Sequence, residues 1–240
     1  MRLNNEFWLF HKPIAHRGLW GNGLIENSLS AYQNAVNNGY PIEIDLYSSS
    51  DGVLFSFHDA TLVRLTGADG FIFQKSSAQL KELCLLDSQE KIPTFDEVLS
   101  LVDGKVPLLI ELKDQPDKTY VDKVVERLKS YKGEFAIQSF NPLYIKRVKE
   151  LAPEFIRGIL ATKTPGKELP FIKRMVVKNM LLNFLIKPDF ISYSFADLPL
   201  PKRKVKKTPL ISWTLKSQED YEKIKPFVKN IIFEHFIPKK

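Results

Sequence analysis

The sequence predicts an α/β fold, a TIM-type (β/α)8 barrel with a β-hairpin and a small insertion after its second strand. Short runs rich in β-branched and aromatic residues alternate with longer amphipathic stretches, the pattern of a parallel sheet with crossover helices. The strand runs are continuously apolar, as expected where both faces of a sheet are covered. Once one hairpin is recognised the parallel strands number eight. The 240 residues are close to the usual barrel size of about 250.

Taken in order, the first strand (13–16) leads to a helix over 28–38, for which Ser28 is a natural N-cap. The next two strand runs, 42–46 and 53–58, are separated by only about six residues. A parallel crossover needs a dozen or more, so these two are antiparallel, and Asp51-Gly52 is a hairpin turn. With that pair at the turn centre, His58 falls opposite Asp45. Residues 59–93, polar with a short helical piece around 78–83, form the small insertion above the barrel mouth. The remaining elements alternate: helix 95–102, strand 107–112, helix 120–131, strand 134–139, helix 142–151 and strand 155–160. Helix 171–186 and strands 190–193 and 210–215 follow, then helix 217–225 and strand 230–233. No internal repeat, linker or second-domain boundary interrupts the series, so one domain spanning 1–240 is expected.

Composition excludes several function classes. With 44% apolar and 26% charged residues, the chain is too apolar for disorder, and its size buries about 70–75% of the unfolded surface without metals or disulfides. The single cysteine, Cys84, forms no intramolecular disulfide and fits a reducing compartment. The N-terminus lacks an apolar signal-peptide core. The most lipophilic stretch, 175–186, is too short to span a bilayer. A cytoplasmic protein without a membrane span is expected. The formal charge of +7 owes much to Lys202, Arg203, Lys204, Lys206 and Lys207. No aromatic residues interleave with them, so they read as a solvated face and not as a nucleic-acid patch.

In such a barrel the functional residues gather at the C-terminal ends of the strands. Those ends read His16-Arg17-Gly18, Glu43-Ile44-Asp45, Glu111-Leu112-Lys113, Gln138-Ser139-Phe140, Ser192, Trp213-Thr214 and Glu234. Glu43 and Asp45, two apart on one strand, point to the same side. Acids in an apolar strand are costly unless something neutralises them. With Glu111 they make three converging carboxylates that suit a hard divalent cation, Mg²⁺ or Ca²⁺. His16 and His58 fall at the same rim, where imidazoles serve as an acid/base pair near neutral pH. Arg17 and Lys113 add charge able to hold a phosphate. His11 and His235 read as structural or solvent-facing.

These residues, together with Glu26-Asn27-Ser28, Asp51-Gly52, His58-Asp59, Arg64-x-Thr66-Gly67, Ile92-Pro93-Thr94, Gln138-Ser139-Phe140 and Trp213-Thr214, resemble the glycerophosphodiester phosphodiesterase family over nearly the whole chain. The resemblance implies hydrolysis of glycerophosphodiesters to sn-glycerol 3-phosphate and an alcohol with a divalent cation. It implies Glu43, Asp45 and Glu111 as metal ligands, His16 and His58 as the acid/base pair, Arg17 and Lys113 on phosphate, and Trp213 in the pocket wall. Two other readings are a phospholipase D-like lyase forming a cyclic phosphate, and a catalytically idle phosphodiester-binding protein. The chain departs from the family at 231–234, where Phe233 stands in place of a hydroxyl residue. The expected partner is a small glycerophosphodiester, with no nucleic acid. Whether two copies pair as a homodimer stays open, as does a metal role for Glu26.

Overall fold

A computed structural model describes residues 3–165, 171–205 and 208–239. Its strands are β1 (Ile14–Ala15), β2 (Ile42–Ser48), β3 (Leu54–Ser56), β4 (Leu108–Leu112), β5 (Phe135–Ser139), β6 (Arg157–Ala161), β7 (Phe190–Ser194), β8 (Leu210–Leu215) and β9 (Asn230–Phe233). All but β3 are parallel, and β1 closes the sheet by pairing with both β2 and β9. The result is the expected closed eight-stranded barrel. Its helices are α1 (Leu29–Asn37), α2 (Val63–Thr66), α3 (Ser77–Glu82), α4 (Phe95–Val102), α5 (Tyr120–Lys129), α6 (Pro142–Leu151), α7 (Phe171–Asn179), α8 (Asn183–Ile186), α9 (Lys202–Val205) and α10 (Gln218–Ile224).

Alternate residues of each strand face opposite ways, and the two faces have different partners. Outward side chains such as Ile44, Ile110, Ile137 and Ile191 pack with the helices in the main apolar layer. Inward ones, Ile14, Leu109, Ala136, Phe190, Ile211 and Ile232, fill the lower half of the barrel. Leu3, Trp8 and Leu9 of the N-terminal segment join this plug from below, and the Asn230 side-chain amide ties that segment down by donating to the Leu9 and Lys12 carbonyls. Gly158 is required here, because a Cβ at this position would lie 2.2 Å from the Phe190 ring.

The hairpin register differs by one residue from the expected one. Leu46 faces Ser56 and Tyr47 faces Phe55, and the Phe57 N–H donates to the Asp45 carbonyl at 3.0 Å. Phe57, not His58, is therefore opposite Asp45. The cause is a three-residue loop: Ser49 N–H reaches the Val53 carbonyl at 2.8 Å, and Gly52 takes the left-handed conformation (φ 90°) that such loops need. Ser49 Oγ and Ser77 fix the Asp51 carboxylate within this turn.

The insertion after β3 is less polar inside than its sequence suggests. Tyr47, Phe55, Phe57, Leu65, Ile72 and Leu80 belong to a separate apolar cluster beneath it. The expected helix over 171–186 is broken in two, because Met180 adopts a left-handed backbone (φ 51°) that ends α7 and turns its own side chain inward. Lys206 and Lys207 of the basic run lie outside the described residues.

Candidate active site

At the open end the inward residues turn polar. β2 and β4 run side by side with Asp45 level with Glu111 and Glu43 one step deeper, level with Leu109 of the plug. All three acids are buried, and one ligand oxygen from each lies within 4.8 Å of the others. Glu43 accepts the Arg17 backbone N–H at 3.1 Å. Asp45 Oδ1 has no hydrogen-bond donor among the described residues, although the Lys113 ammonium stands 3.3 Å away. Lys113 also pairs with Glu111 at 2.8 Å. An all-oxygen set that is buried, convergent and short of donors fits a hard divalent cation.

The electrostatics sort these acids. Burial, then the charges of Asp45 and Glu111, push the Glu43 carboxyl well above the usual carboxylate range. Burial acts the same way on Asp45, but Lys113, His58, Arg17 and His16 together outweigh it and hold Asp45 well below that range. Burial alone would lower Lys113; Glu111 and Asp45 instead keep it firmly charged. Glu43 is thus the acid whose ionised form most needs a cation beside it.

The His16-Arg17-Gly18 turn follows from tight local packing. Arg17 and Gly18 both have positive φ (56° and 87°), and a Cβ on Gly18 would sit 3.0 Å from Ala31 and Tyr32 of α1. This turn delivers the Arg17 guanidinium to Glu26 (2.7 Å) and within 3.6 Å of Asp45. Asn27, also left-handed at φ 54°, donates to Asp45 Oδ2 at 3.0 Å and accepts the Tyr32 hydroxyl at 2.6 Å. Ser28 caps α1 by accepting the Ala31 N–H, as its sequence position suggested. Glu26 is not among the three convergent acids; it joins Arg17 to Arg64.

Both histidines are anchored through Nδ1 by a carboxylate. His16 meets Glu234 at 2.5 Å, and Lys216 holds the other Glu234 oxygen at 2.8 Å. Burial lowers the His16 pKa more than Glu234 raises it. Burial would raise Glu234, but His16 and Lys216 bring it down to about 2. A neutral His16 donating from Nδ1 to an ionised Glu234 keeps the Nε2 lone pair for accepting a proton. His58 meets Asp59 at 2.6 Å, Asp59 accepts from Arg64 Nε at 2.5 Å, and Arg64 grips Glu26 through both terminal nitrogens. The chain His58–Asp59–Arg64–Glu26–Arg17 therefore ties the insertion to the barrel rim. Trp213 projects inward two residues beyond Ile211, edge-to-face with Phe140 at 5.5 Å, its indole N–H buried without a hydrogen-bond partner among the described residues. His235 is half exposed beside Trp20, and the His11 ring lies against the Asn5 carbonyl.

All eight residues expected at the site are thus brought to one end of the barrel. Glu234, Asp59, Arg64 and Asn27 position them; the sequence showed all four, Glu234 at a strand end and the others within the motifs, but gave none of them this role. Glu234 carried a signal of its own, as an acid ending the last strand just as Glu111 follows β4's apolar run.

The family model for the glycerophosphoryl diester phosphodiesterase family matches residues 16–233. A glycerophosphodiester phosphodiesterase of Caldanaerobacter subterraneus subsp. tengcongensis is 31% identical over 238 residues, covering 91% of this chain and 92% of the relative. Among solved structures, a glycerophosphodiester phosphodiesterase of Thermotoga maritima superposes with a TM-score of 0.71 at 25% identity, over 93% of this chain and 94% of its own. A phosphodiesterase of Oleispira antarctica, in complex with the product sn-glycerol-3-phosphate, reaches a TM-score of 0.78 at 24% identity, over 94% and 93%.

Proposed function

Because the chain belongs to the glycerophosphoryl diester phosphodiesterase family, we propose that it hydrolyses glycerophosphodiesters to sn-glycerol 3-phosphate and an alcohol. The observation that carries this reading is the convergence of three buried carboxylates beside two imidazoles, each held through Nδ1 by an acid. Glu43, Asp45 and Glu111 hold Mg²⁺ or Ca²⁺. The cation, when bound, supplies Lewis-acid polarisation of the phosphoryl oxygens. Arg17 and Lys113, fixed in place by their acids, add positive charge against the negative charge that builds on phosphorus, a preorganised term that usually dominates catalysis. His16 and His58 divide the two proton transfers, one taking a proton from the attacking oxygen and the other giving one to the departing alkoxide, each worth about 10²–10⁴ in rate; the attacking oxygen is that of water, or the substrate's own glycerol hydroxyl, whose cyclic phosphate water then opens. Trp213 and Phe140 form an apolar wall of the pocket. The lone Cys84 supports placing the protein in the cytoplasm.

Incubation with a panel of glycerophosphodiesters, with and without EDTA, tests the reading. Release of glycerol 3-phosphate that EDTA abolishes and added Mg²⁺ or Ca²⁺ restores is expected. EDTA-resistant release, a cyclic phosphate as final product, or binding without turnover contradicts it.

A further inference from the structure

The helical segment between β6 and β7 carries apolar side chains that the barrel does not cover. Phe171, Ile172 and Phe184 are 73%, 76% and 76% exposed, and Leu143, Met175 and Leu181 add to them. Phe171, Ile172 and Met175 stand at i, i+1 and i+4 and so share one side of α7, while Val177 and Met180 turn inward. Single exposed apolar residues are ordinary, but a group of large ones rimmed by polar residues marks an interaction face.

The two chain stretches that bound this face carry cations and no acid in their sequence. Residues 171–187 contain four Lys or Arg and residues 198–217 contain six, with no Asp or Glu in either stretch. The whole chain carries +7, so the remainder is net negative. The two stretches meet where Lys204 Nζ donates to the Lys178 carbonyl at 3.4 Å. The face also adjoins the barrel mouth. Lys173 reaches Asp114, the neighbour of Lys113, at 3.3 Å. A groove of about 260 Å³ between α7 and the start of α6 is lined by Phe140, Pro142, Ile172, Val176 and Leu182, with Asp114 and Lys173 beside them, and Phe140 is the residue that packs on Trp213.

We propose that this face docks onto an anionic lipid bilayer. Phe171, Ile172 and Phe184 enter the headgroup–acyl boundary, Lys173, Arg174, Lys178 and Lys187 meet anionic headgroups, and the mouth comes to rest at the membrane surface. Apolar side chains beside a Lys/Arg-rich surface, here with Asp114 as the acid that Lys173 reaches, are what interfacial helices use, and juxtamembrane cations add attraction to anionic lipid. A second copy of this chain on the same face would oppose like charges, which disfavours self-association there. The docking does not rest on the proposed reaction.

Co-sedimentation of the full chain with sucrose-loaded vesicles tests it. The vesicles are phosphatidylcholine alone, or phosphatidylcholine and phosphatidylglycerol in equal parts. Binding to the anionic vesicles alone is expected, weakened by salt and by about tenfold or more in the Phe171→Ser/Ile172→Ser/Phe184→Ser and Lys173→Glu/Lys178→Glu chains. Both variants should melt like the parent and turn over soluble glycerophosphocholine as it does; if the triple variant does not fold, single Ile172→Ser and Phe184→Ser chains carry the comparison. Absence of binding to anionic vesicles overturns the proposal, as does undiminished binding by the apolar variants. A parent dimer that those variants dissociate overturns it too, by showing a second copy on the face. Vesicle binding without turnover of any diester would instead count against the reaction and leave the docking standing.

Discussion

From the closed end to the mouth, the inward residues of β4 and its extension read Leu109, Glu111, Lys113, those of β8 read Ile211, Trp213, and those of β9 and its extension read Ile232, Glu234. One pleat along the same strands separates a dry plug from an array of charge. The lower layer contributes burial, whose transfer term is about 25 cal/mol per Å² of apolar surface. The upper layer brings one carboxylate oxygen each of Glu43, Asp45 and Glu111 within 4.8 Å of one another, an arrangement that opposes folding until cations offset it. Stability and chemistry are thus separated along the barrel axis, as this fold class allows.

Substitutions in the two layers should therefore have opposite signatures. The largest effect belongs to the mouth: His58→Ala should cost about 10²–10⁴ in turnover while the melting temperature stays near that of the parent, measured by product release and calorimetry on one preparation. Near-full activity of that variant would contradict the acid/base role. In the plug, Phe190→Ala should cost about 3–5 kcal/mol of stability, read from denaturant unfolding, with the folded fraction retaining its turnover per molecule. A plug variant whose folded molecules lost turnover as a mouth variant does would break the separation. A smaller effect is expected where the layers are coupled through His16. Glu234→Gln should lower turnover by about 10–100-fold, the range for removing a carboxylate that orients a histidine at a metal site. The same substitution should alter the acid limb of stability. Glu234 is depressed in the folded chain to about 2 from an ordinary 4.5, so its contribution is complete above 4.5 and lost as pH falls from there towards 2. The parent should therefore lose more melting temperature than Glu234→Gln across that interval.

The plug and the acids were legible because a strand's period of two is local: apolar runs gave all nine strands, and Glu43 and Asp45 share a face by spacing alone. The hairpin was placed by loop length, yet its register slipped by one residue because Asp51 sits at the centre of a three-residue loop, a distinction made by the Gly52 conformation and not by composition. The partner of His16 and the link from Arg64 to Glu26 were less legible for a different reason. Glu234 lies 218 positions from His16, and Arg64 reaches Glu26 across 38; no spacing rule connects residues that only barrel closure and a folded insertion bring together. The insertion itself looked polar because its apolar residues are scattered at irregular intervals, and it was their packing against Tyr47 and Phe55 that made a core of them.

The claim on which the account turns is that the deepest acid of the mouth, Glu43, exists to hold a divalent cation. Calorimetric titration of Mg²⁺ or Ca²⁺ into chelator-treated parent and Glu43→Gln chains tests it directly. The account predicts saturable binding of one ion by the parent and its loss in a variant that melts no lower than the parent. Equal binding by both chains, or binding by neither, would contradict it.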